Sequence, residues 1–345
     1  MKKDSQNMKN RILFDLAPIN TGFAPNGIYD ERIFYFHERR SGNFITNSYV
    51  GNIATSKSSV TNSSTAFFCN ENISKLTKLA RLISDHGSVP AIQIGSRISA
   101  LAPQKEWIGN SSKHIEFSSN ELTQLSTCEI QKEIDLLISI AIQLADCGFI
   151  VVQLHAAHGY FLSRLFNRVV NKRLDKFAFG RFEWISDALA KFKQFAPQSL
   201  LELRLNIKDG VEKSNIELPY KKSLVRAIVN IGFVRLSLSN GFYDIDKNFI
   251  YPSEKSFAMG SFSFASDMAT EFQHCTISVA GNILSCITQR TNIPENLAIA
   301  LGRPLIANPL AVVGFWNNLP PICNFCGDCH YFSKGRSSLT CPHFA

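Results

Sequence analysis

Eight short runs rich in apolar and β-branched residues recur along the chain, at residues 11–16, 44–46, 89–94, 149–154, 200–205, 233–238, 276–280 and 297–301. Between several of them lie segments of helical period, at residues 73–86, 126–147, 182–195, 221–231 and 262–273. Strands alternating with helices give parallel βα units, and eight such units point to an α/β fold closed into a TIM (β/α)8 barrel rather than an open sheet. The first two connections read as loops. An open doubly wound sheet would carry a G-x-G-x-x-G turn after its first strand, and the sequence has none there. The longest helical segment opens with Ser126-Thr-Cys-Glu129, a capping box ahead of its apolar stripe.

With 345 residues, 45% hydrophobic and 19% charged, the chain has material for a large core and no low-complexity tract. The first ten residues lack the apolar run of a signal peptide, and no window approaches the roughly 18 apolar residues of a spanning helix. The expectation is a cytoplasmic protein with no membrane partner. The net charge of +8 comes from scattered Lys and Arg, with no basic run interleaved with aromatics, so it suits anionic ligands rather than nucleic acid. Oligomeric state is not encoded in any pattern here.

In a barrel of this kind ligand-facing groups gather at the carboxyl ends of the strands. Those ends carry Ala17-Pro18-Ile19-Asn20-Thr21, Gln93, His155-Ala-Ala-His158-Gly-Tyr160, Arg204, Ser237-Leu-Ser-Asn-Gly241, Gly281-Asn282 and Gly302-Arg303. Two imidazoles and a phenol converging after the fourth strand can grip one small acceptor oxygen and supply a proton. A lone histidine at a strand end is usually structural, and the pairing with Tyr160 is what lifts this set above that reading. The glycine turns after the last two strands let backbone N–H groups approach a phosphate, with Arg303 adding charge.

Of nine cysteines, Cys69, Cys128, Cys147, Cys275 and Cys286 are dispersed and read as small buried hydrophobes. Cys323, Cys326, Cys329 and Cys341 are gathered in the last part of the chain.

These residues resemble, in order, the old yellow enzyme family of FMN-dependent ene-reductases. The match runs from Asn10-Arg11 and Ala17-Pro-Ile19 through Gln93, the His-x-x-His-Gly-Tyr motif, Asn171-Lys-Arg173 with Asp175, Arg204, Ser239-Asn-Gly241 and Gly281-Asn-Ile283 to Gly302-Arg-Pro-Leu-Ile-Ala-Asn-Pro309. The resemblance implies a barrel over residues 1–318 that binds FMN. Pro18, Ile19 and Asn20 would lie against the ring, Gln93 would bond its pyrimidine edge, and Arg204 would sit beside it. Gly281, Asn282, Gly302 and Arg303 would hold the phosphate. His155 and His158 would bind a substrate carbonyl oxygen and Tyr160 would protonate the α-carbon, so the implied reaction is reduction of an activated C=C by hydride from the flavin, at the expense of NADH, NADPH or a protein donor.

The tail, residues 319–345, resembles the cysteine segment of the 2,4-dienoyl-CoA reductase branch. Its four thiolates would enclose a [4Fe–4S] cluster, with a four-cysteine zinc site as the physical alternative. That branch has three residues between the second and third cysteines where this chain has two. It also continues into FAD- and nicotinamide-binding domains, so a cluster here implies an external electron-donor protein or a structural role. Gln93-Ile-Gly-Ser-Arg97 and Lys176-Phe-Ala-Phe-Gly-Arg181 are shortened relative to the family, and Asn20 stands where it often has Thr or Cys. The alternative function is a flavin- or ligand-binding barrel that has lost turnover and serves as an accessory subunit. An RNA-modifying flavin barrel would need a clustered basic surface and a different catalytic set.

Overall fold

Polar residues alternate with apolar ones inside the runs, as in Val152-Gln-Leu-His-Ala156 and Leu201-Glu-Leu-Arg-Leu205. In a strand this period of two separates the sets onto opposite faces. The computed structural model describes residues 12–97, 111–243 and 245–343. Asn10 and Arg11 lie outside them. The strands are β1 (Leu13–Leu16), β2 (Ile45–Ala54), β3 (Val89–Gly95), β4 (Val151–Ala156), β5 (Leu200–Lys208), β6 (Arg235–Asn240), β7 (Thr276–Val279) and β8 (Leu297–Leu301). All neighbours pair in parallel and in chain order, and β8 pairs back onto β1, closing the barrel.

The helices are α1 (Arg32–Glu38), α2 (Asn70–Asp85), α3 (Ser111–Gln124), α4 (Thr127–Asp146), α5 (Phe161–Leu165), α6 (Glu183–Phe195), α7 (Ser214–Ile231), α8 (Lys247–Ile250), α9 (Lys255–Glu271), α10 (Arg303–Ala307) and α11 (Ala311–Trp316). The first connection therefore carries a helix, α1, contrary to the loop reading, and the second carries α2 where the helical period over residues 73–86 lies. α1 hides from a propensity argument because it is one short, aromatic-rich segment, RIFYFHE, held by burying Ile33 and Phe36. β2 is also far longer than its three-residue signal. Its middle is Asn47-Ser-Tyr-Val-Gly-Asn52, polar and small, because alternate residues face a polar interior. The link from β7 to β8 carries only a 3-10 turn, Ile283–Ser285.

The main apolar core lies between sheet and helices, where Leu154, Leu203, Leu238 and Ile299 pack with Leu137, Phe192 and Ile228. Inside the barrel the apolar clusters are small, Tyr49, Ala91 and Val151 in one and Ala17, Ala280 and Ala300 in another. Polar side chains fill the remainder. Among the described residues no helix is long and apolar enough to cross a membrane.

The capping box is present as expected: Ser126 Oγ accepts from Glu129 N at 3.2 Å, and the Glu129 carboxylate accepts from Ser126 N at 2.8 Å. Ser126→Ala should cost about 1 kcal/mol. Leu154→Ala, at a fully buried core position, should cost about 2–5 kcal/mol. Urea unfolding midpoints of the two variants check that order.

Candidate active site

His155, the last residue but one of β4, lies directly beside Arg204 of β5, its register partner. The chain then turns through two successive residues in the left-handed region, His158 (φ 61°) and Gly159 (φ 85°). This conformation is uncommon for a histidine and is the backbone price of bringing three rings together. It is held from below: His158 N donates to Asn206 Oδ1 at 3.3 Å, and Asn206 Nδ2 donates to Asp209 Oδ1 at 2.6 Å. Asp209 is fixed in turn by Lys221 at 2.5 Å and Asn167 at 2.6 Å. Tyr160 follows at the start of α5.

The rings are close, with centroids 4.9 Å apart for His155 and His158 and 4.1 Å for His155 and Tyr160. Asn52 on β2 donates to the Tyr160 hydroxyl at 3.3 Å. Gly95 makes this approach feasible, since a Cβ there would come within 2.5 Å of Asn52 Oδ1 and 3.0 Å of the Tyr160 ring. Arg204 donates to Ser239 Oγ at 3.3 Å, and Ser239 Oγ stands 2.8 Å from His158 Nε2. With one proton and two lone pairs, the Ser239 hydroxyl bridges Arg204 and His158 and serves either tautomer of the ring.

Burial holds His155 well below the ordinary histidine range, with His158 and Arg204 adding to it; His158 is lowered by burial and then by Arg204. Both imidazoles are neutral donors at physiological pH. Burial also lowers Arg204, to about 10, against the pull of Glu202 and Tyr49, so it stays cationic.

Four buried polar atoms around the strand ends lack a hydrogen-bond partner among the described residues: Arg204 Nε, His155 Nδ1, Asn52 Oδ1 and Asn282 Oδ1. Buried polar groups are nearly always satisfied. Such a ring of orphans suits a polar-edged ligand, and the residues expected to hold FMN fit it. Pro18, Ile19 and Asn20 form the loop after β1, pressed so closely on β2 that a Cβ at Gly51 would lie 1.8 Å from the Ile19 carbonyl oxygen. Gln93 is buried on β3. Gly281 and Asn282 turn after β7 with φ of 117° and 64°, and Gly302 and Arg303 follow β8. Arg303 donates to the Pro252 carbonyl at 2.7 Å and to that of Tyr251 at 3.4 Å, and lies over the Phe325 ring.

The tail returns across this end of the barrel. Tyr331 Oη donates to Asn20 Oδ1 at 3.1 Å, Leu339 N to the Thr21 carbonyl at 2.8 Å, and His330 stacks on Tyr251 with centroids 3.9 Å apart. Cys323 and Cys329 are raised by burial, the latter to about 11, while Arg303 lowers both; each also feels Cys341. Cys326 acts on Cys323 as well, so the four thiols share one corner. Among the described residues, however, no group of three or more His, Cys, Asp or Glu is arranged to hold a metal ion. The metal centre expected from the spacing is thus not seen as a closed ligand set.

Sequence reasoning missed Asn52, the bridging role of Ser239, and a buried set made of Asp15, Tyr49, Glu202 and Arg235. Asn171 and Arg173, which carry part of the resemblance, serve as scaffold: Asn171 donates to the Leu165 and Phe177 carbonyls and Arg173 to those of Leu122 and Leu125.

The sequence profile of the NADH:flavin oxidoreductase / NADH oxidase family matches residues 1–319. A probable NADPH dehydrogenase of Candida albicans is 31% identical over 121 residues, which are 31% of this chain and 30% of that protein. Among solved structures, a 2-naphthoyl-CoA reductase complex superposes with a TM-score of 0.70 at 18% identity, covering 97% of this chain and 55% of the other. An old yellow enzyme homologue from Zymomonas mobilis gives 0.66 at 15% identity, covering 91% and 90%. The aligned part thus spans under a third of the first relative and about half of the reductase chain.

Because both imidazoles are neutral, affinity for an uncharged carbonyl ligand should stay flat, within about twofold, between pH 8.5 and about 6.5. An imidazolium donor would instead tighten binding as pH falls through that range. Calorimetric titration at a series of pH values separates the two.

Proposed function

Since the chain belongs to the NADH:flavin oxidoreductase / NADH oxidase family, we propose that it is an FMN-dependent NAD(P)H oxidoreductase that reduces an activated C=C bond of an α,β-unsaturated carbonyl or enoyl-type substrate. The observation that carries this reading is the pair of neutral imidazoles packed with Tyr160 beside the buried Arg204. Bound FMN supplies the hydride. Gln93, Arg204 and the loop of Pro18, Ile19 and Asn20 would hold its ring, and Gly281, Asn282, Gly302 and Arg303 its phosphate.

His155 and His158 donate N–H bonds to the substrate carbonyl oxygen, drawing electron density from the alkene and stabilising the enolate-like charge that develops on that oxygen. Tyr160 delivers the proton to the α-carbon, with Asn52 orienting its hydroxyl. The Arg204 guanidinium favours the negative charge that accompanies flavin reduction. The barrel occupies residues 1–318 in this reading and residues 319–345 form a cysteine-rich segment. Cys323, Cys326, Cys329 and Cys341 would ligate a [4Fe–4S] cluster. A four-cysteine zinc site is the physical alternative. Electrons come from NADH, NADPH or a protein donor.

The test is an anaerobic absorption spectrum of the purified protein with flavin, iron and zinc assays on the same sample. Flavin bands with a broad iron–sulfur shoulder are expected; a colourless protein that cannot be reconstituted with FMN overturns the proposal and leaves an accessory barrel. Tyr160→Phe should keep FMN bound yet slow alkene reduction by about 10²–10⁴-fold. His155→Ala should weaken binding of a phenolic ligand by about tenfold or more. Turnover of Tyr160→Phe at the wild-type rate would remove its assigned role.

A further inference from the structure

Gln93, Gln153 and Glu202 stand level on three adjacent strands, each the register partner of the next. All three are buried. Gln93 Nε2 donates to Gln153 Oε1 at 2.5 Å, and Gln153 Nε2 donates to Glu202 Oε2 at 3.1 Å. The same Oε2 accepts from Tyr49 Oη, which accepts from Arg235 Nε at 3.2 Å.

A glutamine amide can be turned end for end, so its direction needs a cause. Arg235 has donors only, so Tyr49 meets it with a lone pair and gives its proton to Glu202. Oε2 of Glu202 receives two donors, and this holds whether or not the other oxygen carries a proton. Gln153 must therefore turn its NH2 to Glu202 and its carbonyl to Gln93. Gln93 must then turn its own NH2 inward, and its carbonyl oxygen ends the chain without a protein partner among the described residues.

We propose that Glu202 is a positioning residue that fixes the direction of this two-amide chain, so that Gln93 presents an acceptor and the barrel selects a ring edge bearing an N–H donor, such as a flavin imide. The inference rests on the FMN reading above and names a residue, twice removed from the ring, on which that recognition depends.

The experiment titrates the apoprotein with FMN, read by flavin fluorescence, through a double-mutant cycle of Glu202→Gln and Gln93→Met. The glutamine can turn either end toward Gln153, so direction is lost and Kd should rise about tenfold. In the Gln93→Met background the same change should move Kd by less than about twofold, because the effect passes through Gln93. Gln153→Met interrupts the chain while leaving Arg235, Asp15 and Glu202 intact, and should reproduce both results even where Glu202→Gln fails to fold. Equal losses in both backgrounds, or wild-type affinity in Glu202→Gln and Gln153→Met, would overturn the relay and leave the FMN reading standing. A wild-type protein that takes up no FMN overturns the FMN reading and the ligand assigned here with it.

Discussion

Arg235 lies inside the barrel between two fully buried carboxylates, 3.2 Å from Asp15 and 3.6 Å from Glu202. Charges taken out of water are tolerated only when paired and hydrogen-bonded. Here Asn47 bonds Asp15 at 2.6 Å, while Tyr49 and Gln153 bond Glu202. This one cluster ties β1, β2, β4, β5 and β6 together across the lumen. Burial raises both carboxyl groups, and Arg235 offsets only part of that rise. Arg204, on the strand that carries Glu202 and two residues further along it, feels Glu202 directly. The floor of the barrel and its mouth are therefore a single electrostatic unit.

That unit explains the character of the mouth. A cation close to His155 and His158 in a dry site keeps both rings uncharged. Neutral imidazoles are weaker donors than imidazolium, but they do not lose a proton to an oxygen on which negative charge grows. In the proposed reaction the proton comes instead from Tyr160. Charge stabilisation and proton delivery are thus assigned to different groups, each fixed by its own partner, Ser239 for His158 and Asn52 for Tyr160.

The barrel and most of its mouth were legible because they rest on local pattern. Eight apolar runs with helical intervals gave the closed order of strands, and His155, His158 and Tyr160 are contiguous. What escaped depends on partners far apart in sequence or on faces of strands. Asn52 was hidden because β2 has a polar, glycine-containing middle that does not look like a strand. Glu202 looked like a stray charge in an apolar run, although standing two residues before Arg204 puts both on one face. The bond from Tyr331 to Asn20 joins residues 311 positions apart, which no local pattern reveals. The four cysteines were legible as a motif, but spacing along the chain does not say how closely the sulfurs approach one another.

The tail bears on both sides of the mouth through direct contacts. Tyr331 bonds Asn20 in the loop after β1, and His330 stacks on Tyr251, whose carbonyl Arg303 binds. Arg303 also faces Phe325 and favours the thiolate forms of Cys323 and Cys329 against burial. Each negative charge placed on those sulfurs draws on the same guanidinium that stands at the end of β8. With two of its N–H groups committed to the Tyr251 and Pro252 carbonyls, Arg303 is a brace for the loop after β6 as well as a charge. The turn of Gly281 and Asn282 leans on that same loop, with Asn282 Nδ2 donating to the Ser253 carbonyl at 3.1 Å. A phosphate received at the ends of β7 and β8 would accordingly be gripped by a corner whose rigidity comes in part from the cysteine segment. This physical link makes the tail part of the mouth of the barrel rather than an appendage to it.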